Sequence, residues 1–419
     1  MTETWRQSMS LGLVHFMAWP TANSDAEQLI STVTELASDE FFDVMEVRRS
    51  DFPGAHAQIR AIAEQSGTKI GVGAQPLLLA GKLSLNNLDS AGRQAAVDEV
   101  KRSIDASYEM GARICACLSG PGSACEDENK RMLDAMVASC VELCRYAQEK
   151  ADGGEPVWLS VEQFDHSVDK KCLIGSSAIT AELAERVRAE VGNFGITADL
   201  SHVPILHEDV HDLVSTLAPY IIHLHAGNAV ATEGLEAYGD MHPRFDFPGG
   251  SNGVEELKEY LNTLIYAGVF ENEVPTEKMV FTFEVKPVGS ESTALILAHT
   301  KRTFLRAWAG LIDEAEHKHP TAFPRNGWVV HAAQAAWSSV RLARDTDEPL
   351  RRGLENAVRA GHDTDTVAAI AGMLLGAAHG ASAVPADWVP LLHGWPGITG
   401  AELADRAEAL AAGSVAARD

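Results

Sequence analysis

The chain has 419 residues, and 34 Lys and Arg against 59 Asp and Glu give it a formal net charge of -25 at neutral pH. This charge repels phosphate backbones and anionic lipids, so nucleic acid and membrane surfaces are excluded as expected partners. With 46% hydrophobic and 22% charged residues the composition is that of a folded globular protein, not a disordered one. The length fits two or three domains, or one barrel with an appendage.

The compartment is predicted from two further features. The first eleven residues lack the positive start and apolar run of a signal peptide, and the weakly polar run 367–384 is interrupted by His379, which favours a buried helix over a bilayer span. Six cysteines without CxxC spacing are typical of reduced thiols, so a cytoplasmic protein is expected. These cysteines are Cys115, Cys117, Cys125, Cys140, Cys144 and Cys172.

Eight short apolar runs rich in β-branched residues predict strands, each followed by a helix candidate. The runs are 12–18, 42–48, 69–75, 112–119, 157–164, 194–202, 221–228 and 280–287. The clearest helical patterns are 26–37, 95–110, 130–151, 180–191, 254–267 and 292–308. Eight such units predict an α/β fold, a (β/α)8 TIM barrel. A doubly wound open sheet is the alternative, but no GxGxxG loop follows the first strand.

The pattern changes after the eighth unit. A charged stretch at 313–319 is followed by 320–325, and no further strand-like run appears. The expected organisation is therefore a barrel over 1–312, a linker over 313–325 and a smaller all-α segment over 326–419.

Polar side chains interrupt the ends of the last four predicted strands, where a barrel of this kind places its active site. They are Glu162 in "VWLSVEQF", Asp199 and His202 in "ITADLSH", His223 and His225 in "IIHLHAGN", and Glu284 in "VFTFEVKP". Burying several carboxylates together is costly unless a cation neutralises them. Oxygen donors with one imidazole suit Mn²⁺, Mg²⁺, Co²⁺ or Zn²⁺. The alternative is that each residue is a structural, hydrogen-bonded polar group.

On these residues the chain from about 10 to 310 resembles the xylose-isomerase-like TIM-barrel superfamily of sugar isomerases and epimerases, which also contains endonuclease IV. The loop "GDMHPRFDFPGG", with Asp240, His242 and Arg244, adds to the resemblance. The resemblance implies a divalent metal, Mn²⁺ above all. Its implied ligands are Glu162, Asp199, His225 and Glu284.

The resemblance also implies a reaction. Glu162 and Glu284 would move protons on a sugar or sugar derivative through a metal-stabilised enediolate. The residues expected to bind substrate are His202, His242, Arg244 and Lys286. A homodimer is the expectation for this class of barrel.

Departures from the family keep alternatives open. Ala231 stands where ketose epimerases usually place an arginine, which argues against a simple ketohexose. Endonuclease IV needs further histidines from earlier strands, whereas strand four here ends in Leu118 and Ser119. A metal-dependent lyase resembling the C-glycoside deglycosidases would begin with the same proton abstraction.

The segment from residue 326 resembles the C-terminal part of ADP-ribosylglycohydrolases. Its "GHDTDT" matches their metal-binding motif and implies a second metal half site at Asp363, Asp365 and Thr366. The same residues are also good helix N-caps. Because the N-terminal half of that family is missing, a structural cap or interaction module is favoured over an active hydrolase.

Overall fold

The computed structural model describes residues 4–394 and 396–416. The chain divides into two compact units, the first ending at Ala307 and the second beginning at Trp308. This boundary lies a few residues before the one expected from the sequence.

The first unit is a closed barrel of eight parallel strands, as predicted, in which β8 pairs with β1. The strands are β1 Met9–Val14, β2 Val44–Val47, β3 Lys69–Gly73, β4 Ile114–Leu118, β5 Trp158–Glu162, β6 Phe194–Asp199, β7 Ile221–Gly227 and β8 Met279–Glu284. The first strand begins and ends earlier than predicted, because its pairing with β8 starts at Met9 and a short helix starts at His15. The open-sheet alternative is thereby excluded.

Helices cover the outside of the barrel and connect its strands. They are α1 His15–Ala18, α2 Ala26–Ala37, α3 Ala55–Ser66, α4 Gln75–Gly81, α5 Ser90–Met110, α6 Glu126–Lys150, α7 Ser177–Arg188, α8 Val203–Leu206, α9 Val210–Leu217, α10 Val254–Ala267 and α11 Thr293–Asp313. α2 shows why the sequence pattern works: the Asp25 side chain accepts hydrogen bonds from two free N–H groups of the first turn, and Leu29, Val33 and Leu36 are buried at helical spacing. α2 and α10 have the bounds that the pattern predicts.

The second unit is mainly helical, with α12 Val329–Ala343, α13 Pro349–Arg359, α14 Thr364–His379 and α15 Gly400–Ala416. Small side chains dominate its core, where Ala335, Ala357 and Ala371 are fully buried. Ala315 and Phe323, in the expected linker, belong to this same core, so part of 313–325 packs with the helices of the second unit. A minimal antiparallel pair, β9 His393–Gly394 and β10 Ile398–Thr399, also departs from the all-α expectation.

The sequence predicts a buried helix over the run 367–384, but α14 is buried along one stripe only. Val367, Ala371 and Leu375 are buried, whereas Met373 is 67% exposed. The buried apolar residues of α14 therefore form one packed face of the helix. Across the described residues, no helix combines the length and the apolar character needed to cross a membrane.

Candidate metal and substrate site

The four expected metal ligands lie at the carboxyl ends of neighbouring strands. Glu162, Asp199 and Glu284 are the last residues of β5, β6 and β8, and His225 of β7 pairs in register with Asp199. Because adjacent parallel strands end at the same mouth of the barrel, these side chains converge. One potential ligand atom from each residue lies within 4.8 Å of the others.

His225 is the centre of this group. Its Nδ1 lies 3.2 Å from Glu162 Oε1 and 3.0 Å from Glu284 Oε2. Gln75 donates from Nε2 to the other Glu162 oxygen over 2.8 Å, and the Ser201 backbone N–H donates to Asp199 Oδ1 over 2.8 Å. Glu162 and Asp199 are thus each held by a hydrogen bond from a residue outside the group. One oxygen of Glu162 and one oxygen of Glu284 face the same nitrogen, Nδ1 of His225.

The electrostatics of the group fit a divalent cation. Burial alone would lower the pKa of His225, but the charges of Glu46 and Glu162 raise it well above its usual value. Burial raises the pKa of Glu162, against the nearby charge of His225. Three buried carboxyl groups therefore share this pocket with one imidazole. Three carboxylates and one imidazole are a donor set that suits a hard or borderline divalent ion.

A second cluster lies beside the first and is built around Asp240. Its Oδ1 lies 2.8 Å from His242 Nε2 and 3.1 Å from His202 Nε2. The charges of His242 and His202 overcome the effect of burial and hold the pKa of Asp240 well below its usual range. Burial lowers the pKa of His242, but Glu284 and Asp240 raise it to about 9. Asp240 is therefore the shared anion of two buried imidazoles.

A cavity of about 220 Å³ opens over both clusters. Polar groups line it, among them Glu162, His225, His242 and Glu284. Its apolar lining residues are Phe16, Met17, Pro76, Leu79, Phe164 and Met241. Lys170 and Lys286 also line the cavity. Its mixed polar and apolar lining suits a small molecule with both hydroxyl groups and an apolar surface.

A family model for xylose isomerase-like TIM barrels matches residues 35–306. The chain belongs to the xylose isomerase-like TIM barrel family. A second model, for ADP-ribosylglycohydrolase, matches residues 256–418, so the two matches overlap over the last part of the barrel. None of the curated proteins searched matches the sequence significantly.

Solved structures similar to the xylose isomerase-like barrel include several ketose epimerases. A D-tagatose 3-epimerase-like protein superposes with a TM-score of 0.53 at 16% identity, covering 72% of this chain and 100% of its own. An L-ribulose 3-epimerase gives a TM-score of 0.53 at 17% identity, covering 72% and 95%. A D-allulose 3-epimerase from Methylomonas sp. gives 0.50 at 14% identity, covering 71% and 98%. At these identities the similarity shows the fold.

Two of the four expected substrate residues of the xylose isomerase-like barrel do not reach the cavity. His202 is fully buried beneath it, with Nδ1 2.7 Å from the Gln163 carbonyl oxygen and Nε2 on Asp240. Arg244 donates to Glu291 over 2.9 Å and to two backbone carbonyls of its own loop. Both side chains are therefore engaged in holding the site together. His242 and Lys286 line the cavity, and their binding of substrate stays a prediction.

Residues outside the expected set also shape the site. Glu46 in β2 and Gln75 at the start of α4 contact His225 and Glu162, and Lys170 lies 3.4 Å from Asp240. A charge inside the apolar run "VMEV" is the same signal that identified Glu284, so Glu46 could have been found from the sequence. Gln75 and Lys170 carry no such signal, because each lies in a loop or helix start whose position only the fold decides.

The candidate metal half site in the second unit, Asp363, Asp365 and Thr366, lies at the N-terminus of α14. Asp363 accepts a hydrogen bond from the Thr366 N–H over 3.4 Å at the beginning of α14, and Asp365 and Thr366 are exposed. Among the described residues, neither Asp363 nor Asp365 belongs to a close group of three or more His, Cys, Asp or Glu side chains. The observed geometry is that of an N-cap, and the second metal half site stays a prediction.

Proposed function

We propose that the barrel is a divalent-metal-dependent isomerase or epimerase of a sugar or sugar derivative. The observation that carries this proposal is the pair of carboxylates, Glu162 and Glu284, that face one cavity and meet at Nδ1 of His225. Membership of the xylose isomerase-like family supports the same reaction class. The geometry supports proton transfer by two groups acting on one bound substrate.

Glu162, Asp199, His225 and Glu284 would hold the cation, which when bound supplies a Lewis acid for vicinal substrate oxygens. One of the two glutamates removes the proton from the carbon next to the substrate carbonyl. The other returns a proton, to the opposite face of that carbon for epimerisation or to the neighbouring carbon for isomerisation. The hydrogen bond from Gln75 fixes one Glu162 oxygen, so the other is directed at His225 and the reaction site.

The side chains around Glu162 and Glu284 orient the substrate. His242 Nε2 lies 2.8 Å from Asp240 Oδ1 and 3.6 Å from Glu284 Oε1, so the imidazole is held at the edge of the cavity. Lys286 supplies a positive charge two residues after Glu284. The rings of Phe16 and Phe164 offer surfaces on which the C–H face of a sugar can stack.

The apolar residues that line the cavity favour one second candidate, a lyase that expels an aglycone after the same proton abstraction. Phe164, Met241 and Leu79 could accommodate such a group, which a free ketose lacks. Elimination and reprotonation share their first step and differ in the product. Product analysis therefore separates the two activities after proton exchange has been established.

The test is solvent deuterium uptake by ketoses and 3-keto glucosides in the presence of Mn²⁺, together with metal content by mass spectrometry. We expect one metal ion per barrel, exchange in the wild type, and loss of exchange by at least a hundredfold in Glu162→Gln and Glu284→Gln. Glu99→Gln is the matched control, because Glu99 is a buried glutamate on α5 that pairs with Arg49 away from the cavity. Full exchange in Glu284→Gln would contradict the proposal.

A further inference from the structure

Glu46 is a buried carboxylate in the barrel interior that no step of the proposed reaction uses. It lies in β2, where every residue is buried, and its exposed fraction is 1%. Alternation along the strand puts it on the same face as Val44, which packs against Ile114 and Val280 inside the barrel. A charge in such a place is costly unless it has a specific partner.

The partner of Glu46 is the histidine at the centre of the metal site. Its Oε2 lies 2.9 Å from His225 Nε2, and both side chains are 1% exposed. The opposite nitrogen of the same ring, Nδ1, faces Glu162 and Glu284. His225 therefore lies between Glu46 on one side and the two proposed proton-transfer groups on the other.

An imidazole binds a cation only through a nitrogen that carries no proton, and the ring must then keep its proton on the other nitrogen. A carboxylate accepts hydrogen bonds and donates none when ionised. Placed at Nε2, it keeps the proton there and turns the lone pair of Nδ1 toward Glu162 and Glu284. The same contact also fixes the rotation of the imidazole ring about the Cβ–Cγ bond of His225.

We infer that Glu46 is a positioning residue that holds His225 in the Nε2–H tautomer and aims Nδ1 at the divalent cation. The inference rests on the proposed metal site and extends it by one residue that the sequence pattern did not select. Outer carboxylates of this kind commonly change metal affinity by about ten- to a hundredfold when they are replaced.

An alternative role for Glu46 is that of a direct ligand, since Glu46, His223 and His225 also form a close group of potential ligands. The contacts of His223 argue against it. Its Nδ1 and Nε2 each lie 3.3 Å from a threonine hydroxyl, on Thr197 and Thr282, and its Nε2 is 3.4 Å from Glu46. Both nitrogens thus have hydrogen-bond partners, and the group is a hydrogen-bonded layer beneath the site.

The test measures zinc affinity and histidine tautomer in the full chain. Zn²⁺ dissociation constants are obtained by competition with a chromophoric chelator for wild type, Glu46→Gln, Glu284→Gln and Glu99→Gln. Long-range proton–nitrogen correlation spectra of the zinc-loaded, ¹⁵N-histidine-labelled wild type report which nitrogen of His225 carries the proton. Thermal unfolding of each variant reports whether the barrel is intact.

We expect one zinc ion per wild-type chain, a proton on Nε2 of His225, and a dissociation constant raised about ten- to a hundredfold in Glu46→Gln but not in Glu99→Gln. Unchanged affinity in a folded Glu46→Gln variant would overturn the inference. So would a proton on Nδ1 in the wild type, or a second zinc ion that Glu46→Gln removes. Failure of the proposed function would give a different result from failure of the inference about Glu46. In that case the wild type would bind no zinc, or Glu284→Gln would bind zinc as tightly as the wild type does.

Discussion

Gly227 of β7 lies directly opposite Glu284 of β8, and the strands approach so closely that a Cβ on Gly227 would overlap the Glu284 carbonyl oxygen. The absence of a side chain at this position therefore sets where one proposed ligand and proton-transfer group stands. The position of the Glu284 carboxylate depends on the strand pairing as well as on its own side chain.

Gly227→Ala should displace the end of β8. We expect a loss of about 1–3 kcal/mol in the free energy of unfolding, as for other overpacked sites, and weaker zinc binding. Chemical denaturation and zinc titration measure the two effects. Gly192→Ala is the matched control, because a Cβ there meets no atom within 4 Å. Equal zinc affinity in the two variants would show that the close approach does not set the site.

Asp240→Asn should destabilise the barrel without touching a proposed metal ligand. Asp240 is the shared acceptor of His202 and His242, and removal of its charge leaves both buried imidazoles without their nearest carboxylate. Breaking such a buried pair costs about 3–5 kcal/mol. Urea unfolding at pH 7 measures the loss. Asp169→Asn, which alters a more exposed partner of Lys170, should cost less than about 1 kcal/mol.

Lys286→Met should weaken substrate binding and leave metal content unchanged. The ammonium group lines the cavity, and a lost charge-assisted hydrogen bond of about 1.5–3 kcal/mol corresponds to a tenfold or larger rise in KM. Steady-state kinetics on whichever sugar shows proton exchange, with metal analysis in parallel, provide the measurement. Lys171→Met is the control, because Lys171 is exposed in the loop after β5. A KM equal to that of the wild type would remove Lys286 from the site.

His15 predicts acid sensitivity of the barrel. Burial lowers the pKa of His15 from 6.5 to about 4, and the ring is 1% exposed beside the Thr32 hydroxyl. Because the folded-state pKa is the lower one, the stabilisation is complete above pH 6.5 and is lost as the pH falls through about 4. At about 1.4 kcal/mol for each tenfold change, this difference corresponds to roughly 3 kcal/mol. Urea unfolding of wild type and His15→Gln between pH 7 and about 4 should show a shallower decline in the variant. If the free energies of unfolding of the wild type and of His15→Gln fell in parallel as the pH decreased, the loss of stability in acid would belong to other groups.

Bound metal should stabilise the barrel by mass action. At a free Mn²⁺ concentration of about 100 times the dissociation constant, the gain is about 2.7 kcal/mol. The gain should disappear in Glu284→Gln, which removes one of the four converging ligands. Thermal unfolding with and without chelator measures it, and Asp365→Asn serves as the control because Asp365 is exposed at the start of α14. If Mn²⁺ stabilised Glu284→Gln as much as the wild type, the ion would bind at another site than the four proposed ligands.

Much of the fold could be predicted because local pattern and tertiary structure agree. The strands of the barrel are short, apolar and separated by helices with clear spacing, as in α2 and α10, which match their predicted bounds. The sequence does not predict the beginning of β1, because Ser10 and the polar residues before it break the apolar run and pairing with β8 defines the strand. In the second unit, the charges of 313–319 predict a linker, whereas Ala315 and Phe323 are buried in one cluster with residues of α12.

The four candidate metal ligands could be predicted from the strand pattern alone. Glu162, Asp199, His225 and Glu284 interrupt apolar strands at their ends, and barrel geometry brings such positions together. The contacts of the remaining polar residues could not be predicted in this way and follow from the folded arrangement. His202 and Arg244 lie on site-forming elements, yet their side chains turn to Asp240 and Glu291, whereas Glu46 reaches His225 from the far side of the ring. The physical reason is that backbone pattern fixes the position of a residue along a strand, while the direction and partners of a buried polar side chain depend on charges brought in from distant parts of the chain.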